Sequence, residues 1–166
     1  VGGDVYPGTV KLLQALDQKY QGDVHIVTAR PVLGRGLLKS TKITYNSVST
    51  GNLAGAFGYL VGLYNPIEER KVENIRKLLT RNPDTKVILI GDDGEADASV
   101  YLRIMREYPD RVEAALIHNV LGKQLPEAFS SSPKVIIYEN FEEAASLLHA
   151  KGIITSLEME EIALEF

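Results

Sequence analysis

The sequence contains no cysteine, which excludes disulfides, thiolate metal ligands and a cysteine nucleophile, and which favours a reducing compartment. It has no apolar run approaching the roughly 20 residues that span a bilayer, and no charged-then-apolar signal segment at its start. Its 18 basic residues are dispersed and its net charge is −4, so it lacks the basic patch of a nucleic-acid-binding protein. We therefore expect a cytoplasmic protein, free or peripheral to a membrane, without a transmembrane segment.

Methionine is scarce too, with two in the chain, and the first of them is Met105. We therefore expect the natural protein to begin upstream of Val1. The 166 residues are 45% hydrophobic, which suits one domain with a substantial core. The sequence thus predicts a single domain over residues 1–166 that is incomplete at its N-terminus.

Helical and strand-like apolar patterns alternate along the chain. The predicted helices cover residues 8–20, 65–82, 98–108, 141–150 and 155–165, the last of which has capping-box spacing. The predicted strands cover residues 24–27, 42–48, 87–90, 112–117 and 134–138. This order predicts an α/β fold, with a Rossmann-like, mainly parallel sheet and helices on both faces.

Ligands of open α/β sheets bind beyond the carboxyl ends of the strands, where two polar residues stand out. Thr28 follows the strand over 24–27, and its hydroxyl and nearby N–H groups could hold a phosphoryl oxygen or simply cap a turn. Lys71 lies near the start of the helix that precedes the strand over 87–90. It could neutralise a phosphoryl group and orient a carboxylate, or be a solvated helix residue.

Four carboxylates follow the strand over 87–90 within six residues: Asp92, Asp93, Glu95 and Asp97. Such a concentration of negative charge repels itself unless a cation is present. Hard oxygen ligands at one strand end suit Mg²⁺, which also binds substrate phosphate oxygens. The alternative is a solvated acidic turn.

In this order, these features resemble motifs two, three and four of the haloacid dehalogenase superfamily. Within that superfamily the chain is most similar to the phosphatidate phosphatase catalytic-domain family first associated with actin patches in yeast. The resemblance rests on residues 5–8, 24–31, 69–71, 88–97 and 108–112, together with Tyr101, and its coverage is roughly residues 5 to 120. The resemblance implies a Mg²⁺-dependent phosphatase that acts on a phosphorylated substrate, with a lipid phosphate as one candidate.

The resemblance also implies roles for individual residues. Thr28, with Ala29 and Arg30, would bind the phosphoryl group, and Lys71 would stabilise its charge. Arg30 could instead be solvated on its loop. Because no large second domain fits between Thr28 and Lys71, we expect substrate choice to depend on residues 32–64.

For the metal, the resemblance implies that Asp92 is the direct ligand. Asp97 matches the second acidic position of the family's loop, and would hold the metal through water or orient Asp92. Asp93 stands where relatives often have serine, so it could substitute for Asp97 or be only a neighbour. We rank Asp97 ahead of Asp93.

Enzymes of this superfamily use an Asp-x-Asp pair at the end of a first, central strand, and the chain shows no such pair. Asp4 follows Val1-Gly2-Gly3 rather than a strand, which does not suit a nucleophile. We expect the missing strand upstream of Val1, within about 30 residues. It would supply an aspartate that forms an aspartyl-phosphate, and the chain alone would then be inactive.

Two other interpretations remain open. A domain of this fold that has lost its nucleophile would be a non-catalytic module that binds a phosphate-bearing or protein partner. A phosphoacceptor receiver domain also combines acidic, hydroxyl and lysine residues in a parallel α/β fold. It fits less well, because its lysine belongs at a strand end, whereas Lys71 begins a helix.

Overall fold

In a computed structural model of the protein, the structure describes residues 6–20, 25–27, 47–49, 66–94 and 96–164. The helices are α1 (Thr9–Lys19), α2 (Pro66–Arg81), α3 (Asp97–Glu107), α4 (Glu127–Ser130), α5 (Phe141–Ala150) and α6 (Ser156–Ala163). The strands are β1 (His25–Val27), β2 (Ser47–Ser49), β3 (Val87–Asp92), β4 (Val112–His118) and β5 (Val135–Tyr138). No helix of these ranges is long and apolar enough to cross a membrane.

Strands β3, β4 and β5 form an open parallel sheet in that order, and β1 pairs in parallel with β2. Successive side chains of β4 point to opposite faces of the sheet. Ala114 and Leu116 pack into one core, which α1, α5 and α6 cover. Ala115 and Ile117 pack into a second core, which α2 and α3 cover. The predicted α/β architecture with helices on both faces of a parallel sheet is therefore confirmed.

Most predicted elements are present, with small shifts at their ends. β3 extends two residues further than predicted, because Gly91 and Asp92 still pair with β4. Of the predicted strand over 42–48, residues 47 and 48 belong to β2, which extends one residue further, to Ser49. Residues 42–46 lie outside the described residues. The capping box between Thr155 and Glu158 is confirmed. Helix α4 was not predicted, because four residues after a proline are too short to show a periodicity.

Candidate active site

The acidic segment lies at the carboxyl end of β3, as the sequence predicted. Asp92 pairs in register with His118, the last residue of β4, so both strands end at the same edge of the sheet. Helix α3 begins five residues after Asp92, at Asp97. The strand end and the first turn of the helix therefore bring Asp92 and Asp97 together.

Lys71 and Asp97 form a buried ion pair. Lys71 lies on α2 and reaches across to α3, where its Nζ atom donates to Oδ1 of Asp97 at 2.5 Å. The side chains of Lys71 and Asp97 are 8% and 12% exposed. Burial raises the pKa of Asp97 above its ordinary value, although the charge of Lys71 opposes this. Lys71 is thus placed to keep Asp97 ionised in a poorly solvated position.

Asp97 also holds the end of β3 in place. Its second oxygen, Oδ2, accepts a hydrogen bond from the backbone N–H of Asp92 at 3.2 Å. This contact requires glycine at position 91, since a Cβ there would lie 2.3 Å from Oδ2 of Asp97 and 2.7 Å from the hydroxyl oxygen of Tyr101. The pair of Lys71 and Asp97 therefore fixes the backbone from which the Asp92 side chain projects.

Asp92 itself is the exposed carboxylate of the group. Its Oδ1 atom accepts a hydrogen bond from the N–H of Gly94 at 2.7 Å, which orients the side chain. Within the described parts of the chain, no residue donates to its other oxygen, Oδ2. The carboxylate of Asp92 is therefore oriented by a hydrogen bond and exposed to solvent at the carboxyl edge of the sheet.

Asp93 points away from this group and is only 2% exposed. Its carboxylate accepts hydrogen bonds at 2.9 to 3.0 Å from the backbone N–H groups of Val120, Leu121 and Lys123, which follow β4. Burial alone would raise the pKa of Asp93, but these three N–H groups lower it below its ordinary value. In this structure Asp93 anchors the loop over residues 119–123.

The oxygen atoms of this acidic segment are the available ligands for Mg²⁺. Among the described residues, no group of three or more histidine, aspartate or glutamate side chains is placed to hold a metal ion. Mg²⁺ does not require one, because it commonly keeps several waters and uses one or two carboxylates with substrate phosphate. The exposed carboxylate of Asp92 fits that requirement, whereas both oxygens of Asp93 and Asp97 already accept hydrogen bonds.

The structure therefore brings together three of the predicted site residues: Lys71, Asp92 and Asp97. Three others, Thr28, Ala29 and Arg30, lie outside the described residues, as does nearly all of the predicted specificity segment over 32–64. β1 ends at Val27, directly before Thr28, and Val27 packs against the core beneath α2 and α3.

Two residues that support the site, Tyr101 and Gly91, were not assigned roles from the sequence. Tyr101 on α3 donates its hydroxyl to the backbone oxygen of Ile90 at 2.7 Å, and burial raises its pKa well above the ordinary value. Together with Asp97 it lies where a side chain on Gly91 would be. A glycine between an apolar strand and an acidic loop is a signal for such a close approach, but the sequence does not say what approaches.

Comparison with known proteins identifies a family that matches most of the chain. Residues 7–119 match the model of the family described as "Phosphatidate phosphatase APP1, catalytic domain", close to the coverage expected from the sequence. The uncharacterized protein C29B5.04c of Schizosaccharomyces pombe is 26% identical over 106 residues, which are 60% of this chain. Those residues correspond to only 18% of that relative's length. No solved structure shows significant similarity to the chain.

Proposed function

Because the chain belongs to the family of the phosphatidate phosphatase APP1 catalytic domain, we propose that it hydrolyses a phosphomonoester, with phosphatidate as the substrate, in a Mg²⁺-dependent reaction. The haloacid dehalogenase resemblance is consistent with that family. The observation that carries the proposal is the exposed, oriented carboxylate of Asp92 at the carboxyl edge of the sheet, backed by the buried pair of Lys71 and Asp97.

In the proposed site Asp92 is the protein ligand of Mg²⁺, and a bound ion would offset the charge of the phosphoryl group as a Lewis acid. Asp97 acts behind Asp92, because it holds the backbone N–H of that residue and balances Lys71. The hydrogen bonds to Asp93 support ranking Asp97 ahead of it as the second acidic residue of the site.

Lys71 and the residues after β1 complete the proposed site. The ammonium of Lys71 supplies a positive charge next to the end of β3, where it lowers the repulsion between carboxylates and an incoming phosphate. Thr28, Ala29 and Arg30 remain proposed contacts of the phosphoryl group, by their place in the sequence directly after β1.

We propose covalent catalysis through an aspartyl-phosphate. One aspartate of the expected Asp-x-Asp pair would attack phosphorus, the bond from phosphorus to the alcohol oxygen would break, and the alcohol would leave with a proton from the second aspartate. Water would then give a proton to that second aspartate and form a new bond to phosphorus, while the bond from phosphorus to the first aspartate breaks and releases its carboxylate. The attacking aspartate remains a prediction from the sequence. Among the described strands, β3 is one of the two outer strands of the three-stranded sheet.

The test is phosphate release from phosphatidate and from a generic aryl phosphate, each measured with Mg²⁺ and with EDTA. We expect Asp92→Asn to lower the Mg²⁺-dependent rate at least about 100-fold, because the ligand and its charge are lost. Asp84→Asn is the matched control, since Asp84 is an exposed aspartate shortly before β3, at the other end of that strand.

Each outcome separates two hypotheses. Activity that needs Mg²⁺, survives in Asp84→Asn and is lost in Asp92→Asn supports the phosphatase. If the natural full-length protein releases no phosphate from either substrate, the phosphatase proposal is wrong and the non-catalytic binding module is favoured. If only the aryl phosphate is hydrolysed, the reaction class stands and phosphatidate is not the substrate.

A further inference from the structure

Three large apolar side chains stand in solvent beside the candidate active site. Tyr6 is 53% exposed, Val120 is 41% exposed and Leu121 is 62% exposed. The rings of Tyr6 and His118 make a T-shaped contact with their centroids 4.8 Å apart, and His118 lies two residues before Val120. We call Tyr6, Val120 and Leu121 the apolar rim.

The rim directly borders the exposed carboxylate. The point where a Cβ on Gly94 would lie is 2.8 Å from Oδ1 of Asp92 and 4.0 Å from Cδ1 of Leu121. The aliphatic end of Leu121 and the proposed metal ligand are thus neighbours on one surface. A substrate bound at Asp92 would therefore lie close to Leu121.

Leu121 is exposed because hydrogen bonds fix the backbone of its loop, and not because the loop is loosely packed. The carboxylate of Asp93 accepts hydrogen bonds from the backbone N–H groups of Val120, Leu121 and Lys123. These bonds fix the loop to the start of the acidic segment. Gly122 adopts the left-handed conformation with φ of 66°, which gives the loop its sharp turn. A buried carboxylate therefore holds two aliphatic side chains out in solvent.

One cation of the same loop, Lys123, lies beside the rim. Lys123 is exposed, and its Nζ atom donates to the backbone oxygen of Gly94 at 2.7 Å, which keeps the ammonium beside the rim. The chain as a whole has a net charge of −4, so general electrostatic attraction does not bring it to an anionic membrane. Apolar contact and a local positive charge would have to do so.

We propose that the apolar rim is a bilayer-contact surface, which enters the headgroup region of a membrane that contains anionic phospholipid and so brings Asp92 to a lipid phosphate. The inference rests on the proposed function. The phosphate of phosphatidate lies at the membrane surface while its acyl chains stay in the bilayer, so an active site must meet it there. Transfer of aromatic and aliphatic side chains from water to the membrane interface is favourable, so such side chains at the edge of the site would stabilise the bound state.

The first experiment measures flotation of the natural full-length protein with vesicles of phosphatidylcholine and phosphatidate, in EDTA, so that turnover plays no part. We expect the double variant Val120→Gln/Leu121→Gln to bind at least about tenfold more weakly, because two apolar groups no longer enter the interface. Leu157→Gln is the matched control. Leu157 is 66% exposed, but it lies on α6, which contributes no residue to the candidate site.

The second experiment uses the absence of tryptophan from the sequence. The emission that Leu121→Trp adds should shift to the blue on vesicles and be quenched by lipids brominated on their acyl chains, whereas the emission that Leu157→Trp adds should not. Circular dichroism of each variant checks folding, and substitutions of exposed side chains should leave it unchanged.

The proposal is overturned if the natural protein does not float with the vesicles, if the double variant floats as well as the natural protein does, or if the two tryptophan probes respond alike. These outcomes are distinct from a failure of the proposed function. Vesicle binding through the rim without phosphate release would contradict the phosphatase alone, and hydrolysis of phosphatidate without any role for the rim would contradict this inference alone.

Discussion

Two buried carboxylates flank Asp92, and they are stabilised in different ways. Counted over the whole residue, Asp97 is 8% exposed and Asp93 is 2% exposed, so both are withdrawn from water. Asp97 faces the ammonium of Lys71, yet burial still raises its pKa. Burial also disfavours the charge of Asp93, but three backbone N–H groups from Lys123, Leu121 and Val120 lower its pKa.

The difference shows that burial alone does not assign a role to an acidic residue. Asp97 joins two helices and the end of β3 through one cation and one N–H group, so it supports the exposed carboxylate of Asp92. The hydrogen-bonding capacity of Asp93 is taken up by the loop that presents the apolar rim. Variants of Lys71, Asp93 and Gly91 test this contrast.

Replacing Lys71 with methionine should have the largest effect on stability. Asp97 would lose its cation while remaining buried, and breaking a buried pair from one side costs about 3–5 kcal/mol. Thermal or urea unfolding measures the loss. Lys71→Met/Asp97→Asn should recover a large part of it, because the amide oxygen can still accept the N–H of Asp92. A double variant no more stable than Lys71→Met would show that the ion pair is not the cause.

Replacing Asp93 with alanine should destabilise the fold by about 3 kcal/mol, because three backbone N–H groups would lose a charged acceptor. The measurement is again equilibrium unfolding. At a temperature where the variant stays folded, the Mg²⁺ concentration for half-maximal activity should stay within about twofold of the natural value, since a tenfold change would require a lost contact of about 1.4 kcal/mol. A large rise in that concentration would instead make Asp93 a metal ligand.

Gly91→Ala should cost about 1–3 kcal/mol, because the new Cβ would overlap Oδ2 of Asp97 and the hydroxyl of Tyr101, both held by hydrogen bonds. Gly122→Ala is the comparison on the other flank. A Cβ there meets nothing within 4 Å, so its cost should be only the left-handed backbone, about 1–2 kcal/mol. If Gly91→Ala is neutral, the close approach of Asp97 is not needed for stability.

The smallest effect is expected in the pH dependence of the stability that Asp93→Asn removes. The folded pKa of Asp93 lies below its unfolded value, so its ionised form stabilises the fold above the ordinary aspartate range. That contribution disappears as pH falls through the lowered pKa. The stability difference between the natural protein and Asp93→Asn, measured in EDTA, should therefore be full near neutral pH and shrink in acid. A difference that grows in acid would contradict the assigned direction.

The fold was largely predictable because its signals are local. Apolar runs and helical spacing marked most elements within a few residues, and Thr155 and Glu158 marked the start of α6. The exception, α4, has only four residues. The candidate site was partly predictable, since the carboxyl ends of parallel strands meet at one edge whatever the loops do.

Spacing and residue type in the sequence were enough to predict the alternation of strands and helices and the family. They were also enough to select four candidate residues, Lys71, Asp92, Asp93 and Asp97. The different hydrogen-bond partners of Asp93 and Asp97 are visible in the tertiary structure alone. Their partners, the loop after β4 and Lys71 on α2, lie more than 25 residues away along the chain, and a hydrogen bond between distant residues leaves no local pattern. The exposure of Leu121 beside Asp92 was likewise decided by folding, because it depends on how Asp93 anchors a distant loop.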